Sequence, residues 1–145
     1  MRFVDWIIEG IGAAIEYRSG TYDIYLANGT MIDPVRTERI LAKADTAQEV
    51  CIVPRTIREG RLAGSQEACA VVVPSQRTAQ RFKNDIPGLA AAIMMDFDGL
   101  LLNVAPSQRP SRTFINLDPL PRTPRGRIIR TEVAEWVNKQ SILAG

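Results

Sequence analysis

Residues 22–34 read Tyr-Asp-Ile-Tyr-Leu-Ala-Asn-Gly-Thr-Met-Ile-Asp-Pro. Two short runs of β-branched and aromatic residues flank Asn28-Gly29, and this dipeptide between such runs is the strongest short-range signal for a β-hairpin. Asp33-Pro34 then predicts an N-cap followed by proline at the first helical position, opening a helix that runs to about Lys43. Before the hairpin, apolar residues that recur every four positions predict an amphipathic helix over residues 3–17.

Further along the chain, two apolar runs predict buried strands, Glu49–Val53 and Glu67–Val73, and a proline follows each of them. Ser75 is predicted to cap a short helix over residues 76–84. Ala91–Asp96 and Leu100–Val104 are then predicted to form a second hairpin across Phe97-Asp98-Gly99.

Residues 105–127 have a different character, because five of the nine prolines fall there, interleaved with arginines. Proline disrupts strand ladders and helix interiors, so this segment is predicted to be an extended arm on the surface of the domain, or one that reaches a second chain, outside the sheet. The chain is predicted to close with a helix over about 130–143, in which Ile129, Val133, Trp136 and Val137 form one apolar stripe.

These elements predict one α/β or α+β domain over residues 1–145, a length that fits a single domain. Its core, residues 1–104, is expected to hold a mixed sheet of five or six strands flanked by helices. The arm of residues 105–127 follows, and the C-terminal helix within residues 128–145 is expected to pack on the core.

The sequence contains no histidine. This excludes Ser-His-Asp and Cys-His triads, imidazole bases and the common catalytic zinc sets. Cys51 and Cys69 are predicted to be free, buried thiols in strands, which suits a reducing, cytoplasmic setting. No apolar run approaches the ~20 residues of a membrane helix, so no membrane partner is expected.

Arginine outnumbers lysine fifteen to three, and residues 105–145 carry seven basic and three acidic side chains, a balance of +4. Guanidinium groups suit bidentate contact with phosphate. A nucleic acid or an acidic protein surface is therefore the expected partner, and the candidate contact residues are Arg109, Arg112, Arg122, Arg125, Arg127 and Arg130.

The order of helix, hairpin with an acid in each arm, helix and apolar strand resembles the core of the PD-(D/E)xK nuclease superfamily, over residues 3–104. The resemblance implies that Asp23 and Asp33 bind Mg²⁺, the only cofactor it suggests, with an extra acid from Glu16 or Glu9. The sequence departs from the family two positions after the second acid, where Val35 stands in place of the catalytic lysine.

The register of the hairpin decides whether the two aspartates meet. A two-residue turn at Asn28-Gly29 pairs Ile24 with Asp33 and sends Asp23 to the opposite face, which is the expected arrangement. A three-residue loop, Asn28 to Thr30, pairs Tyr25 with Asp33 and brings both aspartates to one side.

Two classes of function follow from the sequence. The first is a small nucleic-acid-associated protein, a degenerate or inactive nuclease-like domain; catalysis, if retained, is that of a Mg²⁺-dependent nuclease with unassigned catalytic residues. The alternative is a non-enzymatic interaction module, an adaptor or inhibitor, whose arm docks on an acidic partner surface or on a neighbouring subunit of a homo-oligomer.

Overall fold

The structure, a computed structural model, describes residues 23–140. The predicted helix over residues 3–17, with Glu9 and Glu16, lies outside the described residues, as do the last residues of the predicted C-terminal helix. Two single-turn 3₁₀ helices, Leu101–Asn103 and Pro106–Gln108, lie between the helix that ends at Leu100 and the strand that begins at Arg112. In chain order the strands and helices are β1 (Ile24–Tyr25), β2 (Met31–Ile32), α1 (Pro34–Leu41), β3 (Ala47–Thr56), β4 (Gln66–Pro74), α2 (Gln76–Arg81), α3 (Ile86–Leu100), β5 (Arg112–Ile115) and α4 (Arg130–Lys139).

The main sheet has three strands in the order β3-β4-β5, with β3 antiparallel and β5 parallel to the central β4. A separate hairpin, β1-β2, touches this sheet through a parallel bridge between Leu26 and Gln66. The predicted class, a mixed sheet flanked by helices, is confirmed. The predicted number of strands is wrong, since the described residues form sheets of two and three strands.

Both faces of the main sheet are covered, which explains the uninterrupted apolar runs of its two long strands. Beyond the bulge between Ala47 and Glu49, the even-numbered apolar side chains of β3 and β4 pack with α3, and the odd-numbered ones pack with α4. The first face includes Val50, Ile52, Ala70 and Val72 with Leu89, Ile93 and Phe97. The second face includes Cys51, Val53, Cys69 and Val71 with Val133 and Val137.

Pro54 does not stop β3, which continues to Thr56. The amides of Ile52 and Thr56 point away from β4, because they donate to Glu38 Oε2 (2.7 Å) and Asn138 Oδ1 (3.0 Å) on the flanking helices. By alternation, the position of Pro54 also faces this outer edge. Proline is tolerated there because β4 requires no hydrogen bond from that position.

The predicted hairpin over residues 91–104 is wrong, because residues 86–100 form the helix α3. Asp85 caps the helix through a hydrogen bond from the Gly88 amide (3.0 Å), and Leu89, Ile93 and Phe97 repeat every four residues toward the core. Phe97-Asp98-Gly99 therefore lies inside a helix whose period of four, set by core packing, outweighs the local turn signal.

The helical stretch Ile86–Asn103 is also long and apolar enough to cross a membrane by length and composition, with a mean hydropathy of 1.3 over 18 residues. Core helices, which are mostly buried, pass the same test; in this stretch 22% is buried, and the buried part includes three side chains of α3 in the first face of the sheet.

The prediction that the arm stays outside the sheet is wrong for β5, which pairs with β4 from Cys69↔Arg112 to Val72↔Ile115. Its four residues contain no proline, so the ladder can form between prolines 110 and 119. The helix α4 begins at residue 130, as predicted, and buries Val133 and Val137 against the second face. Trp136 is half-buried and meets the Phe114 ring edge-on, with 6.0 Å between ring centroids.

Candidate functional site

The β1-β2 hairpin has a register that differs from the expected one. Ile24 pairs with Ile32 and Tyr25 with Met31, and the Leu26 amide donates to the Thr30 carbonyl (2.8 Å). The loop is thus three residues long, Ala27 to Gly29, and neither predicted register is the observed one. Extending the pairing by one residue places Asp23 opposite Asp33, on the side away from the buried isoleucines.

Asp33 is used as a helix cap: its carboxylate accepts from the Arg36 amide (3.4 Å) at the start of α1, where Pro34 occupies the first turn as predicted. Within residues 23–140, no group of three His, Cys, Asp or Glu side chains is placed to hold a metal ion. Glu16, the third predicted ligand, lies outside this range, so the complete set of three ligands stays a prediction.

Three of the six arginines assigned to the basic arm form ion pairs with carboxylates of the folded core. Arg112 Nε lies 3.0 Å from Glu67 Oε2, and Arg122 Nη2 lies 2.7 Å from Glu49 Oε1. Arg130 makes a bidentate pair with Glu38, in which Nη2 donates to Oε1 at 2.6 Å and Nη1 donates to Oε2. These side chains are thus held against the core, and a fourth, Arg109, donates from Nε to the Val104 carbonyl (2.9 Å).

The remaining two arginines stand on a tight turn, which we call the arginine turn, residues 122–128. An antiparallel bridge joins Arg122 to Ile128, and the Thr123 amide donates to the Arg127 carbonyl (2.8 Å). Gly126 adopts a φ of 88°, in the left-handed region that glycine enters without a steric penalty. The Arg127 amide donates to Thr123 Oγ1 (3.2 Å), which closes the turn.

Arg125 and Arg127 are both exposed at the tip of the arginine turn. Among the residues that the structure describes, neither side chain has a hydrogen-bond or ion-pair partner. Two guanidinium groups two residues apart can bind oxygens of an anion such as phosphate, because each presents several donors in a planar fork. A guanidinium does not release its proton near neutral pH, so this site can bind and neutralise charge but cannot transfer protons.

The pKa values of three titratable side chains in the main sheet fit structural roles. Burial raises the pKa of both thiols, Cys51 and Cys69, to about 12, so at neutral pH they are protonated and poor nucleophiles. They are free and buried, as predicted. Burial alone would raise the pKa of the Glu67 carboxyl, but hydrogen bonds from Arg55, Ser111 and Arg112 outweigh it and lower that pKa.

The three carboxylates that pair with Arg112, Arg122 and Arg130 carry no strong signal in the sequence. Glu49 and Glu67 each precede a buried apolar run, which is a weak signal that the charge needs a partner. Their arginine partners lie 73 and 45 residues away in the chain, so the pairing depends on the tertiary fold.

No protein-family model matches this chain, and neither does any curated protein. Several solved structures are similar to it in fold. The adenylation domain of a carboxylate reductase from Mycobacterium chelonae superposes with a TM-score of 0.65 at 14% identity, over 79% of this chain and 18% of that chain. The A-PCP didomain of a carboxylic acid reductase from Segniliparus rugosus, in complex with AMP, superposes with a TM-score of 0.62 at 15% identity, over 79% of this chain and 16% of that chain.

An acyl-CoA synthetase from Brucella canis is similar with a TM-score of 0.55 and 20% identity, over 86% of this chain and 20% of that chain. The chain thus spans about a fifth or less of the length of the proteins that it resembles. At these identities the likeness shows the fold: most of this chain is folded like one portion of an adenylation domain.

This likeness corrects the resemblance drawn from the hairpin. The neighbours are adenylation domains and acyl-CoA synthetases rather than PD-(D/E)xK nucleases, so that resemblance is wrong. The functions inferred from the sequence, a nucleic-acid-associated or nuclease-like protein and its alternative as a non-enzymatic adaptor, are corrected with it. The order of elements misled because a hairpin followed by a helix and an apolar strand also occurs in the described part of this fold. The missing lysine after Asp33 was the informative departure.

Proposed function

We propose that this chain serves as the smaller part of an adenylate-forming enzyme, in which the arginine turn binds phosphate oxygens of ATP or of the adenylate. Two observations support the proposal together. The fold is similar to a portion of adenylation domains, one of them solved in complex with AMP. Arg125 and Arg127 are exposed on the arginine turn without a side-chain partner among the described residues.

The arginine turn can supply only part of a nucleotide site, since it is a projecting tip. The rest of the nucleotide, and the carboxylic acid to be activated, would be held by a second protein body. The neighbouring chains are several times longer than this one, which supports such an arrangement. The second body would be a partner protein or a further part of a longer chain.

The proposed chemistry requires charge stabilisation from this chain. When a carboxylate oxygen attacks the α-phosphorus of ATP, a new C–O–P linkage forms, the bond to the β-phosphate breaks and pyrophosphate leaves. No proton has to move in this step. Guanidinium groups near the phosphate oxygens stabilise the negative charge that develops on them, which is the kind of interaction that lowers such barriers most.

The proposal can be tested with the isotopically labelled full chain, titrated with MgATP and separately with AMP while backbone amide signals are followed by NMR. We expect the largest shifts in residues 122–128. A variant with Arg125→Ala and Arg127→Ala should bind MgATP at least about tenfold more weakly, because charge-assisted contacts are lost.

The matched control is Arg61→Ala. Arg61 is also exposed, but it lies in the connection that follows Thr56, at the opposite end of the β3-β4 ladder from Glu49. The control should bind MgATP like the wild type. Shifts centred outside the arginine turn, or equal weakening in both variants, would contradict the proposal, and so would the absence of shifts at millimolar MgATP.

A further inference from the structure

We infer that Glu49 is a positioning residue that fixes the orientation of the arginine turn, and through it the direction in which Arg127 points. This inference rests on the proposed function for its consequence, the binding of phosphate. Its structural part can be tested without any nucleotide.

Glu49 reaches the chain on both sides of Pro121. Its Oε1 accepts from Arg122 Nη2 at 2.7 Å, and its Oε2 accepts from the Leu120 amide at 3.4 Å. Leu120 is buried in the second face of the sheet, so the chain enters the turn from a fixed point. One carboxylate on β3 therefore holds the two residues that precede the tip.

Arg122 carries the constraint from Glu49 into the tip. While Nη2 is held by Glu49, Nη1 donates to the Gly126 carbonyl at 2.6 Å. That carbonyl belongs to the same peptide plane as the Arg127 amide, which donates to Thr123 Oγ1 at 3.2 Å. Hydrogen bonds thus hold both the carbonyl and the amide of the peptide group between Gly126 and Arg127.

The burial of the two partners suits this role. The Glu49 side chain is 10% exposed and the Arg122 side chain 42% exposed. Glu49 is thus anchored in the sheet, and Arg122 lies along the surface between the sheet and the tip. An ion pair with one partially buried partner and several hydrogen bonds is stronger than an exposed pair.

The test compares Glu49→Gln with Glu67→Gln. Glu67 is a matched control because its side chain is 12% exposed, it also pairs with arginines, and it lies at the far end of the β3-β4 ladder. We expect the NMR order parameters of the Thr123, Gly126 and Arg127 amides to be about 0.85 in the wild type and to fall toward about 0.6 in Glu49→Gln. In Glu67→Gln they should not change.

The same variants are then titrated with MgATP. Glu49→Gln should bind severalfold more weakly, and adding Arg122→Gln should cause little further loss, because the two residues act through one another. If Glu49→Gln does not fold, Glu49→Asp replaces it, because that variant keeps the charge but shortens the side chain by one methylene, while Arg122 keeps its own contact with the Gly126 carbonyl.

The outcomes separate the two claims. If the order parameters in the turn stay unchanged on breaking the pair, the positioning role of Glu49 is overturned, whatever happens to MgATP. If the turn becomes mobile but the wild type shows no MgATP shifts there, the positioning role is supported and the proposed function is overturned.

Discussion

At the scale of single residues, Glu67 shows how a partly buried carboxylate is kept ionised. Its Oε2 accepts from Arg55 (2.6 Å) and Arg112 (3.0 Å), and its Oε1 accepts from Ser111 (3.0 Å). These contacts favour the charged form more than burial disfavours it, so the pKa of the carboxyl is lowered from its ordinary value of 4.5.

This lowered pKa makes the contribution of Glu67 dependent on pH. A carboxyl whose pKa is lower in the folded state stabilises the fold above its unfolded pKa, and the contribution is lost as the pH falls through the folded pKa. We expect Glu67→Gln to be less stable than the wild type at pH 7, and the difference to shrink as the pH falls below 4.5. Urea unfolding of both proteins across this pH range measures the difference in their free energy of unfolding. A difference that does not vary with pH would contradict a lowered pKa for Glu67.

At the scale of elements, α3 has one face in the core and one in solvent. Phe97 is 1% exposed, whereas Met95 on the same helix is 77% exposed. Replacing Phe97 with alanine should lower the free energy of unfolding by about 3–5 kcal/mol, because a large buried ring is lost and a cavity remains. Met95→Ala should change it by no more than about 0.5 kcal/mol. Chemical denaturation checks both, and equal losses would show that α3 packs differently.

The same helix marks the limit of prediction from the sequence. The strands between residues 49 and 73 were predictable, because their apolar runs are long and bounded by polar or turn residues. In α3 the turn signal of Asp98-Gly99 conflicts with the helical period of Leu89, Ile93 and Phe97, and only the packing of these three side chains in the core decides for the helix. The α1 cap was predictable because Asp33-Pro34 is a local signal.

At the scale of the whole molecule, the site depends on contacts between distant parts of the chain. The arginine-rich segment and its charge were evident from the sequence. The sequence does not reveal which of these arginines form ion pairs with carboxylates. Glu38 and Arg130, for example, are 92 residues apart and meet only when α1 and α4 flank β3. The sequence identified six candidate arginines, and the fold leaves two of them, Arg125 and Arg127, with unengaged side chains in the described part of the chain.

The covered outer edge of β3 has a consequence for self-association. An open strand edge can act as a template on which another chain adds by backbone pairing and begins to aggregate. Here Glu38 and Asn138 accept from the outward amides of Ile52 and Thr56, and Pro54, which lies between them, has no amide hydrogen to donate. The double variant with Pro54→Val and Asn138→Ala should therefore form aggregates that bind thioflavin and scatter light. It should form them faster than either the wild type or Asn138→Ala alone. If the double variant scatters no more light than the wild type, Pro54 and Asn138 contribute only to the packing of the helices on the sheet. If it aggregates, they also prevent other copies of the protein from pairing with the edge of β3.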